Sequence, residues 1–531
     1  MRKIASMVSA ALIVLILVTL YPEAAVNARS ETVVGYFVPP GQYTLVREGN
    51  FDRFTNHVDG YSLLVPSGMT VDMSFSEVGA FLENENIRIE LYRQYVGDIG
   101  KHVYINYSKF FLYNTLDHYT QYRGSRTIGA HNVAVTSWNR NRLARIPNDK
   151  NHYITLEIYR ENHVYSIFVK SNAPITQLGG YAYLVESLRF EPRTAPPFVQ
   201  RTRAQDIEAR GWNDETKELF IRFFSPCAPL TWGIFEPTTA MFDYSVLLEY
   251  EAFFEYEFPF LLNYSEFENP YRHPNLRQRL DMAHDHGRTL VLTLQTPLHP
   301  SPGSNYIYRI MNGQFDDFLA DYAQAIADFG HPVMFRLANE MNGDWCYYSA
   351  FHTSKDTVIF REFWRYVWGF FERAGANANT IWVWNPNGES LPYFNWNHEL
   401  MYYPGDRYVD VVGLTKYNTG TFYYYAWGET WQEFYELYDH LYARYTKIYG
   451  QPLMIPEFAS ASMGGDKEQW VINMFEHIQT MPSIKIAIWW DGSDLDAYGN
   501  VARSYYIDET PRLMEIFREN LRRIGTDGAF G

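Results

Sequence analysis

Two glutamates follow short apolar runs, at positions from which a carboxylate can reach a substrate. Asn339 and Glu340 come directly after the run 333–338, and Glu457 closes the run 453–457. Such a pair can cleave a glycosidic bond, because one acid protonates the leaving oxygen while the other carboxylate attacks the anomeric carbon. The alternative for either glutamate alone is to cap the helix after its strand, where negative charge is favourable. The two together favour the catalytic interpretation.

The elements that must position these glutamates are repeated β/α units. From Trp212 onward, short apolar runs alternate with amphipathic segments. The eight candidate strands are Thr231 to Phe235, Phe258 to Leu262, Thr289 to Leu294, Val333 to Ala338, Thr380 to Trp384, Val409 to Leu414, Leu453 to Glu457 and Ile484 to Trp490. Eight units and a closing helix predict a closed (β/α)8 TIM barrel over residues 212–524, in which strands four and seven face each other across the mouth. An open doubly wound sheet is the alternative, but no Gly-rich phosphate loop follows the first strand.

The region before the barrel has a different pattern, which predicts a smaller accessory α+β domain over residues 31–192. Ile87 to Gln94 and His102 to Ser108 are strand-like, and 154–159 and 164–169 flank a turn-prone pair as a hairpin would. A helix is expected from about Ile175 to Leu188. The Pro-rich and then charged segment 193–211 is interpreted as the linker.

Composition and the first residues indicate where the protein works. Arg2 and Lys3 precede an apolar stretch from Met7 to Leu20, and the small-residue site 26–28 follows, so residues 1–28 are interpreted as a signal peptide and the protein as secreted and extracellular. An uncleaved membrane anchor is the alternative. No later segment is expected to cross a membrane. The net charge of −16 argues against nucleic acid. The 18% aromatic content suits stacking on sugars, and we expect a polysaccharide substrate and a monomer.

At the strand ends the sequence resembles glycoside hydrolase family 26, which is best known for endo-β-mannanases. The decapeptide R-L-A-N-E-M-N-G-D-W, Arg336 to Trp345, looks like the family's acid/base motif. Further matches stand at 232–237, 384–387, 410–417 and 456–458. The resemblance covers residues 212–524 and implies Glu340 as acid/base, Glu457 as nucleophile, and retention of configuration with carboxyl groups about 5 to 5.5 Å apart.

Five further side chains are candidate substrate-site residues. Arg336 shares strand parity with Glu340, so it could point into the barrel and keep Glu457 ionised, or form a structural ion pair. Asn339 stands where family mannanases usually carry His, and this departure weakens the mannan assignment. The Asn side chain would still hold a sugar 2-hydroxyl. Tyr417 resembles a family tyrosine that hydrogen-bonds the nucleophile. Trp345 and Trp489 resemble aromatic walls of sugar subsites, with Trp490 as the alternative to Trp489.

No cofactor or metal site is predicted. His284 and His286 look like a metal-binding pair but fall where a helix should end, and the calcium-like start at Asp494 lacks oxygen ligands later in the loop. His299 could touch substrate or face solvent. We predict an endo-acting hydrolase of β-1,4-mannan. The alternatives are a mixed-linkage β-1,3-1,4-glucanase and a non-catalytic glycan-binding barrel.

Overall fold

The structure, a computed structural model, describes residues 39–175, 178, 180–267, 275–298 and 303–527. The segment 1–28 and His299 lie outside the described residues. The chain divides into two compact units, one of residues up to 143 with 147–200 and one of 144–146 with 201–531. No helix in the described ranges is long and apolar enough to cross a membrane.

The N-terminal unit consists of two antiparallel sheets. The strands are β1 Tyr43–Glu48, β2 Phe51–Asn56, β3 Tyr61–Pro66, β4 Thr70–Asp72, β5 Ala80–Glu83, β6 Ile87–Tyr95, β7 His118–Ile128, β8 His131–Arg140, β9 His152–Arg160, β10 His163–Ser171 and β11 Arg189–Phe190. The first sheet has the order β1-β2-β3-β11, and the second has the order β4-β5-β6-β10-β9-β8-β7. The expected hairpin is the antiparallel pair β9 and β10.

Two local predictions in this unit are wrong. The strand-like stretch from His102 to Ser108 is the helix α1, Lys101–Tyr107, in which only Tyr104 is buried. A single buried position satisfies an alternating pattern as well as a helical one, so the short pattern did not separate the two. The helix expected from Ile175 is shorter and begins later, as α2, Ala182–Glu186.

The second unit contains the predicted closed barrel of eight parallel strands in chain order, which confirms the (β/α)8 fold. Predicted and observed strands correspond one to one, although the second is longer and the sixth shorter than expected. The strands are β12 Thr231–Phe235, β13 Phe260–Glu266, β14 Thr289–Gln295, β15 Val333–Leu337, β16 Thr380–Trp384, β17 Val411–Gly413, β18 Leu453–Phe458 and β19 Ile484–Trp490. A short hairpin, β20 Ser493–Leu495 and β21 Val501–Ser504, follows β19.

One helix precedes the first barrel strand, and the other helices of this unit follow barrel strands. They are α3 Asp214–Phe224, α4 Ser245–Phe254, α5 Leu276–Asp285, α6 Tyr306–Ile310, α7 Asp316–Phe329, α8 Thr357–Ala374, α9 Tyr424–Trp427, α10 Phe434–Ile448, α11 Lys467–His477 and α12 Pro511–Asp527. Short 3₁₀ helices in the chain span Phe110–Tyr113, Glu208–Arg210, Pro237–Met241, Ala376–Asn379, Asn395–Asn397, Glu399–Tyr402, Asp406–Tyr408, Ile478–Thr480 and Ile507–Glu509.

The interior of the barrel changes from apolar to polar along the strand direction. Alternate residues such as Leu262, Met334 and Ile488 form one buried cluster, together with Phe224 at the end of α3. Tyr264 and Arg336 stand two residues further along β13 and β15, so their side chains point to the same inner face. The apolar layers therefore support a polar layer at the C-terminal mouth, where active sites of such barrels lie.

Candidate active site

Glu457 stands at the end of β18 and is almost completely buried. Its Oε2 atom accepts a hydrogen bond from Arg336 Nη2 at 2.7 Å, which makes a buried ion pair. The Tyr264 hydroxyl donates to the same oxygen. Burial, followed by the charge of Glu457, holds the pKa of Tyr264 well above its usual value, so this phenol is a neutral donor. The two donors therefore fix one carboxylate oxygen of Glu457.

Arg336 is held by the barrel wall on its remaining sides. Its Nε donates to Thr293 Oγ1 at 2.8 Å, and its Nη1 donates to Asn385 Oδ1 at 2.9 Å. Asn385 is fixed in turn by its amide, which donates to Thr415 Oγ1 at 3.0 Å. The guanidinium is completely buried and points into the barrel, as its parity predicts. Each of its three nitrogens therefore donates a hydrogen bond, which gives the ion pair with Glu457 a fixed geometry.

Glu340 lies beyond the end of β15 in a strained backbone conformation. Its φ is 55° and that of Ala338 is 47°, a left-handed region that residues other than glycine rarely occupy. The backbone N–H of Glu340 donates to the Asn385 carbonyl at 2.7 Å, which stabilises this turn. On the side chain, Asn387 Nδ2 donates to Oε1 at 2.6 Å. Strain that surrounding contacts maintain at a carboxylate is typical of functional sites.

The environment of Glu340 favours its protonated form. Burial, and then the negative charge of Glu457, raise the pKa of Glu340 to about 7, against a smaller lowering effect of the hydrogen bond from Asn387. The structure therefore brings together a carboxyl group that holds its proton near neutral pH and a carboxylate paired with Arg336. One group can donate a proton while the other attacks, which is the division of labour that glycosidic cleavage requires.

Asn339 has an unused hydrogen-bonding atom. Its side chain is almost fully buried, and within the described residues its Oδ1 atom has no hydrogen-bond partner. Its backbone carbonyl is occupied, since the Tyr348 hydroxyl donates to it at 2.5 Å. A buried acceptor without a partner costs free energy unless a ligand or water supplies the donor. Next to Glu340, a sugar hydroxyl would be such a donor.

Two predicted aromatic residues behave differently. Trp345 hydrogen-bonds the Glu340 carboxyl and is 38% exposed, so one part of its ring system is open to solvent beside the acid. Trp489 is buried away from the cleft: its ring packs on Phe458 and Phe517, and its indole N–H donates to the Tyr505 carbonyl. The choice of Trp489 as a cleft wall is therefore corrected in favour of the alternative, Trp490.

Trp490 faces the barrel mouth because it has the parity of the inward residues of β19. It stacks on Phe235 with ring centroids 5.1 Å apart, and it packs edge-to-face with Tyr417, with ring centroids 6.3 Å apart. Tyr417 also packs against Tyr505 in a tilted arrangement, with ring centroids 5.3 Å apart. Among the described hydrogen bonds, the phenol on Glu457 is that of Tyr264 rather than Tyr417.

Sequence reasoning missed Tyr264, Asn385 and Asn387. Asn385 and Asn387 belong to the motif after the fifth strand, and their alternate spacing would have placed both on the inner face. Tyr264 follows the predicted end of the second strand by two residues. Its parity matches that of Leu262, so extending that strand by one pair of residues would have found it.

The other polar clusters do not enter this site. Asp494 forms an ion pair with Arg503 at 2.8 Å. The two cysteines are free, with Cys227 exposed and Cys346 buried. Within the described part of the chain, the group of His, Cys, Asp or Glu side chains close enough to hold a metal ion is Glu215, His284 and His331, which lie away from the glutamate pair.

Comparison with known proteins gives a family match inside the barrel. Residues 294–436 match the model of glycosyl hydrolase family 26, and the resemblance inferred from the sequence is thereby confirmed. Endoglucanase H of Acetivibrio thermocellus is 29% identical over 248 residues, which are 46% of this chain and 25% of that protein. A mannan endo-1,4-beta-mannosidase of Bacillus subtilis (strain 168) is 29% identical over 103 residues, 19% of this chain and 27% of that protein. The chain thus spans about a quarter of the length of these two curated relatives.

A solved structure, the catalytic domain of Bacillus sp. JAMB-750 GH26 endo-beta-1,4-mannanase, matches with a TM-score of 0.43 and 16% identity. The match covers 61% of this chain and 93% of that one.

Proposed function

We propose that this protein is a retaining endo-β-glycoside hydrolase that acts on a plant β-glycan, with β-1,4-mannan as its substrate. The observation that carries the proposal is the pair at the barrel mouth: a proton-holding Glu340 beside an Arg336-paired Glu457. The family 26 match over residues 294–436, which include Glu340, supports the same chemistry. A binding-only cleft would have no need for a carboxyl group tuned in this way.

The reaction runs in two steps. Glu457 attacks the anomeric carbon while Glu340 gives its proton to the leaving glycosidic oxygen, so the glycosidic bond breaks as the bond to Glu457 forms. A water molecule then attacks the same carbon, its proton returns to Glu340, and the Glu457 carboxylate leaves. Two inversions give net retention. We expect the two carboxyl groups to be about 5 to 5.5 Å apart, the separation of retaining enzymes.

The substrate assignment rests on the named relatives and on the side chains around the glutamate pair. Relatives named mannan endo-1,4-beta-mannosidase support mannan, whereas the relative named Endoglucanase H keeps a β-glucan as the second candidate. The free acceptor on Asn339 suits a sugar 2-hydroxyl, which is axial in mannose and equatorial in glucose. Exposed Tyr425 and Trp427, on the loop after the sixth strand, offer stacking surfaces for a polymer.

The test is reducing-sugar release from mannan, lichenan and xylan, with the Glu457→Ala protein as the control. The proposal expects mannan to be cleaved fastest and the variant to be inactive on every polymer. Faster release from lichenan would transfer the assignment to a mixed-linkage glucanase. Binding of a glycan without release by the wild-type protein would leave only the glycan-binding barrel.

The proposal extends to the location of the protein and to its domains. The basic and apolar start of the chain supports secretion into the extracellular space, and the catalytic groups all belong to the barrel unit. We therefore propose a monomer in which residues 31–192 are an accessory domain and 193–211 a linker. A protein beginning near Gln200 should remain folded and cleave a soluble glycan. Inactive or insoluble protein from several such start points would show that the barrel depends on the preceding region.

A further inference from the structure

Three potential metal ligands meet at the opposite end of the barrel from the glutamate pair. Glu215 is in the first turn of α3, His284 is in the last turn of α5, and His331 lies two residues before the start of β15. One ligand atom from each lies within 4.8 Å of the other two. The three residues come from separate elements that flank the N-terminal ends of the strands. Their convergence depends on the fold and not on a local sequence motif.

The side chains are already ordered towards each other. His331 Nδ1 and Glu215 Oε2 are 2.7 Å apart, and the rings of His284 and His331 stack with centroids 3.8 Å apart. The Phe329 ring contacts both imidazoles by its edge, which gives the pair an apolar wall. The opposite side is open, since the side chains of His331 and Glu215 are 40% and 49% exposed. An ion could therefore enter from solvent.

From this arrangement we propose that Glu215, His284 and His331 bind a divalent transition-metal ion of the zinc class. Two imidazole nitrogens and one carboxylate oxygen are ligands that Zn²⁺ accepts, and a water molecule completes four-coordination. Bonds of about 2.0 to 2.2 Å place tetrahedral ligands roughly 3.4 Å apart, so the rings must turn out of their stack by a small rotation. Partly exposed side chains can make that rotation.

A neighbouring cavity gives the ion room for its remaining ligand. The cavity has a volume of about 250 Å³, and Glu215 and His284 line it together with Glu218, Arg288, Leu219 and Leu280. Arg288 is paired with Glu251 at 2.7 Å, so its charge is partly compensated there. The site is independent of the proposed hydrolysis, because none of its ligands contacts the groups around Glu340 and Glu457.

Metal binding would cross-link separate elements of the barrel and stabilise its fold. The ion would join α3 to the turns that precede the third and fourth strands. α3 ends in Phe224, which belongs to the inner apolar cluster of the barrel. A ligand that binds only the folded form stabilises it by mass action. At saturating zinc we expect the melting temperature of the barrel to rise by about 3 °C or more.

The experiment titrates ZnCl2 into untagged, EDTA-treated full-length protein and measures binding by competition with a chromophoric chelator. We expect one ion per chain and the rise in melting temperature. The single variants His284→Ala and His331→Ala should each weaken binding by more than the roughly 10- to 100-fold that loss of an outer-shell partner costs, because each removes a ligand itself. Glu215→Gln should weaken it by a smaller factor, because an amide oxygen is a poorer ligand than a carboxylate.

A matched control lies next to the triad. His286 is bonded to the Met282 carbonyl and stacks on Tyr244, away from the three proposed ligands. His286→Ala should bind zinc as the wild type does. Circular dichroism checks that each variant is folded. Absence of one-to-one binding in the wild type would overturn the proposal, as would folded His284→Ala and His331→Ala proteins of unchanged affinity, or an equal loss in His286→Ala.

Discussion

The two ends of the barrel use the same kinds of side chain for different purposes. At the C-terminal mouth, Glu457 is buried, and Arg336 and Tyr264 hold one of its oxygens. At the opposite end, Glu215 is about half exposed and pairs with His331 at 2.7 Å. Burial raises the pKa of Glu340 to about 7, which suits proton transfer, whereas open carboxylates and imidazoles suit an exchangeable ion. Environment, more than residue type, separates the two sites.

The largest effect should come from removing the nucleophile. Glu457→Gln should lower turnover by roughly 10⁵-fold or more, as loss of a nucleophile does in other enzymes that form covalent intermediates. The fold should persist, because an amide of the same shape replaces a carboxylate at the end of a strand. The measurement is kcat on mannan together with zinc affinity, which this substitution should leave unchanged.

A control substitution for this result lies at the opposite end of the barrel. Glu218→Gln changes an exposed acid beside the proposed zinc site and should retain wild-type kcat. Loss of activity in both proteins would mean that the two ends are coupled through the barrel. Normal activity in Glu457→Gln would remove Glu457 from the mechanism.

The sequence predicts the barrel well because eight apolar runs must be buried from both sides. It predicts Arg336, Glu340 and Glu457 because they stand at strand ends or share inward parity with them. The same burial on both faces hides which of Trp489 and Trp490 points inward, since neighbouring residues in β19 are apolar on both sides. Only the register of the closed sheet decides that Trp490 follows Ile488 on the inner face.

Residues beyond the apolar runs were harder to predict. β13 continues through Asn263 and Tyr264 because its ladder with β14 extends to Glu266, although this part of the strand is polar. Similarly, His284 meets His331, 47 positions away, and not its sequence neighbour His286. The extension of β13 depends on strand pairing, and the meeting of His284 with His331 depends on helix packing. Local periodicity encodes neither.

A second prediction concerns Tyr264, whose role in the site the sequence did not indicate. Tyr264→Phe should lower kcat about 10- to 100-fold, because it removes a hydrogen bond to a charged carboxylate, worth about 1.5 to 3 kcal/mol. That bond also stabilises the charge that Glu457 recovers when it leaves the sugar. The matched variant is Tyr417→Phe, whose phenol does not donate to Glu457, and the measurement is kcat for both proteins. A larger loss in Tyr417→Phe would restore the assignment made from family resemblance.

The third prediction uses the pH dependence of the acid. Glu340 must be protonated to act, so kcat/KM should fall as pH rises through about 7, the pKa of this group. Asn387 donates to Glu340 and lowers its pKa, so Asn387→Ala should move the alkaline limb upward by roughly one pH unit. The profile of Glu218→Gln should match the wild type. A downward shift in Asn387→Ala would contradict the role of Glu340 as the acid.

The smallest predicted effect concerns the C-terminal end of the barrel. It tests whether residues outside the surroundings of Glu340 and Glu457 also bind the polymer. Tyr425 is 99% exposed on the loop after the sixth strand. Arg503 of the hairpin after β19 contacts this loop, through the ring of Tyr423 at 5.4 Å and through Glu429. Tyr505, two residues further along the chain from Arg503, touches Tyr417 and Trp490. The loop is therefore connected to the border of the cleft, and a long substrate could stack on it.

Tyr425→Ala should raise KM for long mannan about 2- to 10-fold, the range expected from losing one aromatic contact of about 0.5 to 1.5 kcal/mol. The value for a short oligosaccharide should not change, because such a chain ends before it reaches the loop. Ile221→Ala removes an exposed apolar side chain from α3 at the other end of the barrel and should leave both KM values unchanged. Equal increases for long and short substrates in Tyr425→Ala would indicate a disturbed cleft, and no increase at all would confine sugar binding to the barrel mouth.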